Sequence, residues 1–259
     1  MGERESHAPG TFSWADLSTT DQDAAKAFYG ELFGWEAVDL PIGDGSVYSM
    51  MRLDGRDVAA ISTQPTAQRE AGVPPLWNSY VTVESADAAA ERATELGGAV
   101  HAGPFDVFDA GRMAVVQDPQ GAFFMVWEPR ENNGAGLVNA PGALSWNELS
   151  CPDVDAAAGF YGDLLGWTTS QMEGSPEPYL IIKNGERSNG GMRPPAAPGV
   201  PPHWLVYFGI DGLDKALALV AERGGHVHAG PIDIGVARIG VVADPQGATF
   251  ALYDGVYED

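Results

Sequence analysis

Two acidic residues follow a tryptophan at the same spacing in two matching segments of the chain, SWADL and SWNEL. Side chains at positions i and i+2 of a strand lie on one face, so Trp14 shares a face with Asp16, and Trp146 with Glu148. A carboxylate beside an indole on a buried face needs a cationic or hydrogen-bonding partner. If the partner belongs to the protein, the acid has a structural role. If the partner is a ligand, the acid binds it or acts as a base with a raised pKa.

Several side chains could be partners of these acids. Arg112 and Arg238 occupy matching places in GRMAVV and ARIGVV, one in each copy. His203 stands just before a predicted strand, and Tyr179 lies in a strand-like segment, so both could approach Glu148. For the acid of the first copy we favour the structural role. For Glu148 both roles stay open, and Glu148 and His203 are the candidate catalytic residues.

The composition restricts the class of partner and the compartment. The net charge is −22, and clustered Lys and Arg are absent, so neither nucleic acid nor an anionic membrane surface is an expected partner. The single cysteine, Cys151, excludes an internal disulfide and suits a reducing compartment. No apolar run is long enough for a membrane span, and the first residues do not resemble a secretory signal. We therefore predict a cytoplasmic protein.

A long internal repeat shows how these residues are positioned. FYGELFGW at residues 28–35 returns as FYGDLLGW at residues 160–167, and VVQDPQGAFF returns as VVADPQGATF. A repeat this long indicates duplicated whole domains. Each copy divides again into two units that read strand, helix and three strands, with Thr20 or Asp21 capping the first helix and Gly34 ending it. The predicted organisation is a flexible tail (1–10), a first domain (11–130, units at about 11–63 and 76–130), a linker (131–141) and a second domain (142–255, units at about 142–193 and 202–255).

Four βαβββ units, with FYxxLFGW after the first strand and DPQG before the last, resemble the vicinal oxygen chelate superfamily. That family contains glyoxalase I, bleomycin-resistance proteins and extradiol dioxygenases. The duplicated W-x-[DE]-L strand is similar to two-domain glyoxalase-like proteins of actinobacteria, some of which carry a hydroxylase label. The resemblance implies an α+β fold with tandem glyoxalase-like domains, in which each pair of units forms an open, cup-shaped mixed sheet that holds a ligand or a metal.

The resemblance also implies where a metal would bind. Its ligands in the family come from the first strand of each unit and from a Glu on the last strand. Counted position by position, these places hold Trp14, Asn78 and Met125 in the first copy, and Trp146, Leu205 and Ala251 in the second. Indole and aliphatic groups cannot bind a divalent cation, and a lone amide binds it poorly. A shifted alignment would add His203 but no Glu. We predict no cofactor, with a divalent metal elsewhere as the weaker alternative.

Aromatic residues on the strands suit an apolar cleft for an aromatic ligand. The predicted ligand-binding residues are Trp14, Asp16, Tyr48, Asn78, Trp146, Glu148, Tyr179 and His203. Three hypotheses follow: a metal-independent protein that binds a small molecule, with the second cup as the better site; a glyoxalase-like lyase or a hydroxylase-like or dioxygenase-like enzyme; and a non-catalytic stress or accessory protein whose cups are filled. The partner is a small molecule, and the two domains form an intramolecular pseudo-dimer that is compatible with a monomer.

Overall fold

The computed structural model describes residues 2–43, 45–172 and 178–257. The first part of the chain contains β1 (Gly2–Glu3), β2 (Phe12–Thr19), α1 (Gln22–Phe33), β3 (Glu36–Gly43), β4 (Ser46–Leu53), β5 (Arg56–Thr63), α2 (Thr66–Glu70), β6 (Leu76–Thr82), α3 (Ala86–Glu95), β7 (Ala99–Val107), β8 (Gly111–Gln117) and β9 (Phe123–Pro129). The second part contains β10 (Leu137–Val138), β11 (Leu144–Ser150), α4 (Val154–Leu165), β12 (Thr168–Gln171), β13 (Leu180–Asn184), β14 (Arg187–Arg193), β15 (His203–Gly209), α5 (Leu213–Glu222), β16 (His226–Asp233), β17 (Ala237–Ala243) and β18 (Thr249–Gly255). None of the helices among the described residues is long and apolar enough to span a membrane.

Each half of the chain forms one mixed sheet. The strand order is β3-β4-β5-β2-β6-β9-β8-β7 in the first domain and β12-β13-β14-β11-β15-β18-β17-β16 in the second. In both sheets the first strands of the two units pair antiparallel at the centre, and each also pairs in parallel with the last strand of its own unit. The structure therefore confirms the predicted α+β fold of four βαβββ units in two curled sheets.

The helices of the first and third units begin and end with the same signals. The Asp21 carboxylate accepts the Ala24 N–H at 3.0 Å, and Asp153 does the same for Ala156 at 3.0 Å, which satisfies donors that a helix start leaves unpaired. Gly34 and Gly166 end the helices with φ near 74°, a conformation that glycine adopts without steric cost. Asp21, rather than Thr20, is the cap.

The repeated FYG segments join the two domains across a seam where the helix-bearing faces of the sheets meet. The Tyr29 hydroxyl of the first domain donates to Asp244 of the second at 3.0 Å. Reciprocally, the Tyr161 hydroxyl of the second domain donates to Asp118 of the first at 3.0 Å. The other oxygen of Asp118 accepts three backbone N–H groups of its own DPQG turn. The DPQG aspartates thus order their turns and bind the opposite domain.

The tryptophans of the same segments repeat this reciprocity. The Trp35 indole donates to the Gly142 carbonyl at 2.7 Å, and the Trp167 indole donates to the Gly10 carbonyl at 2.7 Å. Gly10 and Gly142 precede the first strands of the two domains at matching positions. The sequence identified these segments as turns that define the fold, and the structure shows that they also hold the domains together.

Backbone groups of the segment before the first domain, for which the sequence predicts a flexible tail, pair with both domains. The Gly10 N–H donates to the Thr82 carbonyl at 2.8 Å, and Asn184 donates to the Pro9 carbonyl at 2.8 Å. β1 also pairs with β10, which lies within the predicted linker.

Candidate functional site

The concave face of the first sheet contains a closed hydrogen-bond network around Asp16. The Trp14 indole donates to the Tyr48 hydroxyl at 3.1 Å, and that hydroxyl donates to the Asp16 carboxylate at 3.1 Å. The Tyr80 hydroxyl donates to the same oxygen at 2.8 Å, and the Asn78 amide donates to the other oxygen at 2.7 Å. Asp16 therefore has three donors from the protein itself.

These contacts explain why a carboxyl group can lie in the first cup. Asp16 is only 7% exposed. Burial raises the pKa of Asp16 above its ordinary value, and the bonds from Asn78, Tyr80 and Tyr48 oppose this effect. The contacts agree with the structural role that the sequence favours for this acid, because the protein supplies partners for both carboxylate oxygens.

The second cup repeats these residue types around Glu148 with one change. The Trp146 indole donates to the Tyr179 hydroxyl at 3.0 Å, and the phenol groups of Tyr179 and Tyr207 act on the Glu148 carboxyl group and lower its pKa. Leu205 stands opposite Glu148, at the place where Asn78 stands opposite Asp16 in the first cup. The amide donor of the first cup is therefore lost in the second.

Burial also raises the pKa of Glu148, which is 8% exposed. The positive charge of Arg193 is the largest opposing effect, followed by the bonds from Tyr179 and Tyr207 and the charge of His203. An ionised carboxylate only accepts hydrogen bonds, whereas a protonated carboxyl group can also donate one. The raised pKa of Glu148 extends the pH range over which the protonated form exists.

The arginines that the sequence suggested as partners lie elsewhere. Arg112 binds Asp87 at 2.6 Å and Asp106 at 2.9 Å, and Arg238 binds Asp214 at 2.8 Å. The prediction was wrong because strand alternation places both arginines on the face opposite the cup, towards the helices. These surface ion pairs contribute little to stability.

His203 lies on the cup side, as predicted, but does not bond the acid directly. It stands opposite Ser150 on the neighbouring strand, two positions from the place opposite Glu148. Its Nδ1 bonds the Pro201 carbonyl oxygen at 2.9 Å, and its charge acts on Glu148. Of the two candidate catalytic residues, Glu148 lies within the network and His203 lies beside it.

The two cups differ most in how they are filled. Three buried methionines line the first cup: Met50, Met113 and Met125. Sequence repeat and strand register place three smaller or stiffer residues at the matching positions of the second: Ile181, Ile239 and Ala251. Methionine fills irregular gaps well, whereas Ala251 has a much smaller side chain and is fully buried under its neighbours.

Two aromatic residues of the second cup are more exposed than their counterparts in the first. Trp14 and Trp127 of the first cup are 5% and 7% exposed, whereas their counterparts Trp146 and Tyr253 are half-buried. In the second cup Leu205, Tyr207 and Ala251 form a small apolar cluster separate from the two large cores. The second cup thus presents aromatic surface beside a buried carboxyl group.

Comparisons with known proteins agree with this architecture. The model of the Glyoxalase/Bleomycin resistance protein/Dioxygenase superfamily matches residues 11–126 and 143–252. The chain belongs to this superfamily. It is 45% identical over 255 residues to "Putative glyoxylase CFP32" of Mycobacterium tuberculosis, covering 97% of each chain. It is 33% identical over 260 residues to "Anthracycline biosynthesis protein DnrV" of Streptomyces peucetius, covering 95% of this chain and 94% of that one.

A solved structure supports the same fold. The Mn(II)-bound glyoxalase from Novosphingobium aromaticivorans superposes with a TM-score of 0.65 at 16% identity, covering 99% of this chain and 85% of that one. At this identity the likeness extends to the fold of the glyoxalase superfamily and not to the details of a site.

The superfamily's metal positions hold unsuitable side chains in this member. The positions that the resemblance assigns to the metal hold Trp14, Asn78 and Met125 in the first cup, and Trp146, Leu205 and Ala251 in the second. The register places Tyr80 between Trp14 and Met125, and it places Asn78 opposite Asp16, which its amide bonds. Indole, thioether and methyl groups do not form the nitrogen and oxygen donor set that Zn²⁺, Mn²⁺ or Fe²⁺ needs. Within residues 2–43, 45–172 and 178–257, no three His, Cys, Asp or Glu side chains are grouped to hold a metal ion. The donor set of the cups does not fit the family's metal.

Three residues of the networks are missing from the set that the sequence singles out. Tyr80 and Tyr207 recur at matching positions, two residues after Asn78 and Leu205, so strand alternation could have placed them on the cup face. Arg193 gave a weaker signal, because only the strand register brings it beside Glu148.

Proposed function

We propose that this protein binds a small, planar aromatic molecule in the second cup, without a divalent metal at the family's position. The observation that supports this most strongly is the difference between the cups. Met125 helps to fill the first cup, whereas Ala251 takes its place in the second, where Trp146 and Tyr253 are half-buried.

The chemistry of the second cup favours an aromatic ligand. Indole and phenol rings contact flat π-systems through large apolar faces, and a few polar groups orient a ligand in such a cleft. Glu148, with the phenol groups of Tyr179 and Tyr207 beside it, is the buried acidic group of this cup. A ligand ring against Trp146 would place a hydroxyl or carbonyl substituent near that carboxyl group.

The similarity to DnrV supports the same ligand class. Its printed name assigns that relative to anthracycline biosynthesis, and anthracyclines are flat, fused-ring molecules with hydroxyl and carbonyl substituents. We extend this chemistry to the present chain at the level of ligand class, a fused-ring aromatic compound, and not of a particular compound.

The test is a titration of chelator-treated protein with fused-ring aromatic compounds, including anthraquinones, followed by tryptophan fluorescence and calorimetry. We expect binding of one ligand per chain in the presence of EDTA. Glu148→Gln should weaken binding by about tenfold, the cost of about one charge-assisted hydrogen bond. The matched variant Asp16→Asn in the first cup should change the affinity less than about twofold. Absence of binding by every compound would contradict the proposal, as would binding only after Mn²⁺, Fe²⁺ or Zn²⁺ is added.

The raised pKa of Glu148 favours one second candidate, acid–base catalysis on the bound molecule. A carboxyl group whose pKa lies closer to neutrality is a better proton donor and acceptor under physiological conditions. Chromatography of long incubations tests this candidate. A product that wild-type protein forms and Glu148→Gln does not would support an enzyme, and unchanged ligand would leave the binding function.

A further inference from the structure

The second cup contains a row of side chains that can carry positive charge. Ser150 of β11 lies two residues beyond Glu148 and on the same face of the strand, towards the cup. The strand register places Arg193 of β14 opposite Ser150 on one side and His203 of β15 opposite it on the other. The row Arg193, Ser150 and His203 therefore crosses three adjacent strands beside the buried acid.

The first cup has no such charge at the matching row. There Ser18 faces Ser62 of β5 on one side and Leu76 of β6 on the other. The two domains thus share the row that contains Trp14 or Trp146 and the row that contains Asp16 or Glu148. They differ in the row that contains Ser18 or Ser150. Arg193 replaces a serine and His203 replaces a leucine.

Arg193 reaches into the cup electrostatically. Its positive charge lowers the pKa of Glu148, and it acts in the same direction on the phenols of Tyr179 and Tyr207. His203 acts on Glu148 as well. Nδ1 of His203 bonds the Pro201 carbonyl oxygen, so a ligand that bonds this ring would use Nε2.

The two cups surround equally buried acids with different groups. Asp16, 7% exposed, has two tyrosine hydroxyls and an amide but no arginine in its neighbouring row. Glu148, 8% exposed, lacks the amide, and the charge of Arg193 acts on it instead. In a chain with 14 Lys and Arg residues and a net charge of −22, a cation directed into a cup is an unusual use of charge.

Resting on the proposed function, we propose that the ligand of the second cup is an aromatic carboxylic acid, whose carboxylate binds Arg193 and His203 while its rings lie against Trp146. A guanidinium group presents two parallel donors that match a carboxylate, which makes arginine the usual partner of such groups. The aromatic row and the basic row are neighbours on one concave face, as the two parts of such a ligand require.

The experiment compares two probes that differ only in charge, an anthraquinone carboxylate and the corresponding carboxamide, by calorimetry at low ionic strength. Wild-type protein should bind the carboxylate about tenfold more tightly or better, in keeping with a hydrogen bond to a charged group. Arg193→Ser, which introduces the first-cup residue, should remove most of this preference and change the carboxamide affinity less than about twofold. His203→Leu should reduce the preference by a smaller factor.

Arg187→Ser is the matched control, because Arg187 is an exposed residue of the same strand and its loss changes the net charge equally. It should leave both affinities unchanged. Arg193→Gln, which keeps most of the side-chain length, is the second variant if Arg193→Ser does not fold. Equal affinity of wild-type protein for the two probes would overturn the inference, as would an equal loss of both in the Arg193 variants. Failure of both probes to bind wild-type protein would contradict the proposed function itself, and this inference with it.

Discussion

Asp16 and Glu148 show how two acidic residues at matching positions come to have different neighbours in duplicated surroundings. Both carboxyl groups are buried beside a tryptophan; Asp16 bonds two tyrosine hydroxyls, and two tyrosines act on the pKa of Glu148. Asp16 receives a third donor from Asn78, whereas the matching Leu205 gives Glu148 none. The protein thus satisfies Asp16 more fully, and Glu148 keeps acceptor capacity that a ligand can use.

The pH dependence of stability should report the burial of Asp16. Burial raises its folded-state pKa above the ordinary value of 3.8, so the folded protein binds more protons than the unfolded chain between the two pKa values. Stability contributed by this group therefore falls as pH rises through that interval. Wild-type protein should be more stable than Asp16→Asn by about 1–3 kcal/mol at acidic pH, because an amide has only one acceptor oxygen, so that either the two tyrosine hydroxyls or the Asn78 amide lose their acceptor. This gap should narrow towards neutral pH.

Urea unfolding at several pH values measures the gap. Asp23→Asn is the control, because the Asp23 carboxylate is 92% exposed and its ion pair with Lys26 lies at the surface. A gap that widens as pH rises would contradict the account, since it would mean that hydrogen bonds lower the pKa of Asp16 more than burial raises it.

At the scale of strands and helices, the cup is a set of parallel rows. Alternation within each strand and register between strands place the aromatic, acidic and third rows side by side. The period of two was readable from SWADL and SWNEL, which is why the faces of Trp14 and Asp16 were predicted correctly. The suggestion that Arg112 and Arg238 pair with the acids was wrong, because the face of Arg112 depends on the register of an edge hairpin that the sequence does not specify.

Gly191 of β14 controls the position of Tyr179, and its replacement makes a sharp test. A Cβ at this position would overlap the Tyr179 hydroxyl oxygen. Gly191→Ala should therefore displace the tyrosine from both Trp146 and Glu148 and destabilise the protein by about 1–3 kcal/mol. The emission of Trp146 should shift, since its indole loses its hydrogen-bond partner.

The matched control is Gly159→Ala, in the middle of α4. A Cβ there meets no atom within 4 Å, so the change should stabilise the helix by about 0.5–1 kcal/mol. Thermal or urea unfolding measures both variants. Equal stability of Gly191→Ala and wild-type protein would show that the tyrosine does not depend on the space above this glycine.

At the scale of the whole molecule, the repeated octapeptides form a reciprocal clamp. Residues 215 positions apart meet where Tyr29 donates to Asp244, and the same contact recurs between Tyr161 and Asp118. The sequence predicted the duplication and the four units from local patterns. It could not predict the clamp, because no local pattern states which of the four DPQG and FYG segments face one another across the seam.

Removal of one seam hydroxyl should destabilise the whole protein. Tyr29→Phe leaves both Asp244 and the Trp77 indole without the hydroxyl that pairs with them, so we expect a loss of about 2–4 kcal/mol in the free energy of unfolding. Tyr161→Phe should cost a similar amount, because Asp118 and Trp204 lose the same hydroxyl.

Tyr257→Phe is the control for these variants, because its hydroxyl makes only long bonds, of 3.2 and 3.5 Å, to backbone carbonyls. It should cost less than about 1 kcal/mol. If Tyr257→Phe and Tyr29→Phe lower the free energy of unfolding equally, the hydrogen bonds across the seam contribute no more to stability than the long bonds of Tyr257.

The central claim is that the second cup, where Ala251 stands in place of Met125, is the ligand site. The most direct test is calorimetric titration of chelator-treated Ala251→Met with the two anthraquinone probes, beside wild-type protein and Met125→Leu. Methionine at position 251 reproduces the filling of the first cup, so affinity for both probes should fall about tenfold or more. Met125→Leu, a volume-conserving change in the first cup, should bind like wild type. Unchanged binding by Ala251→Met, or loss of binding in Met125→Leu alone, would contradict the account.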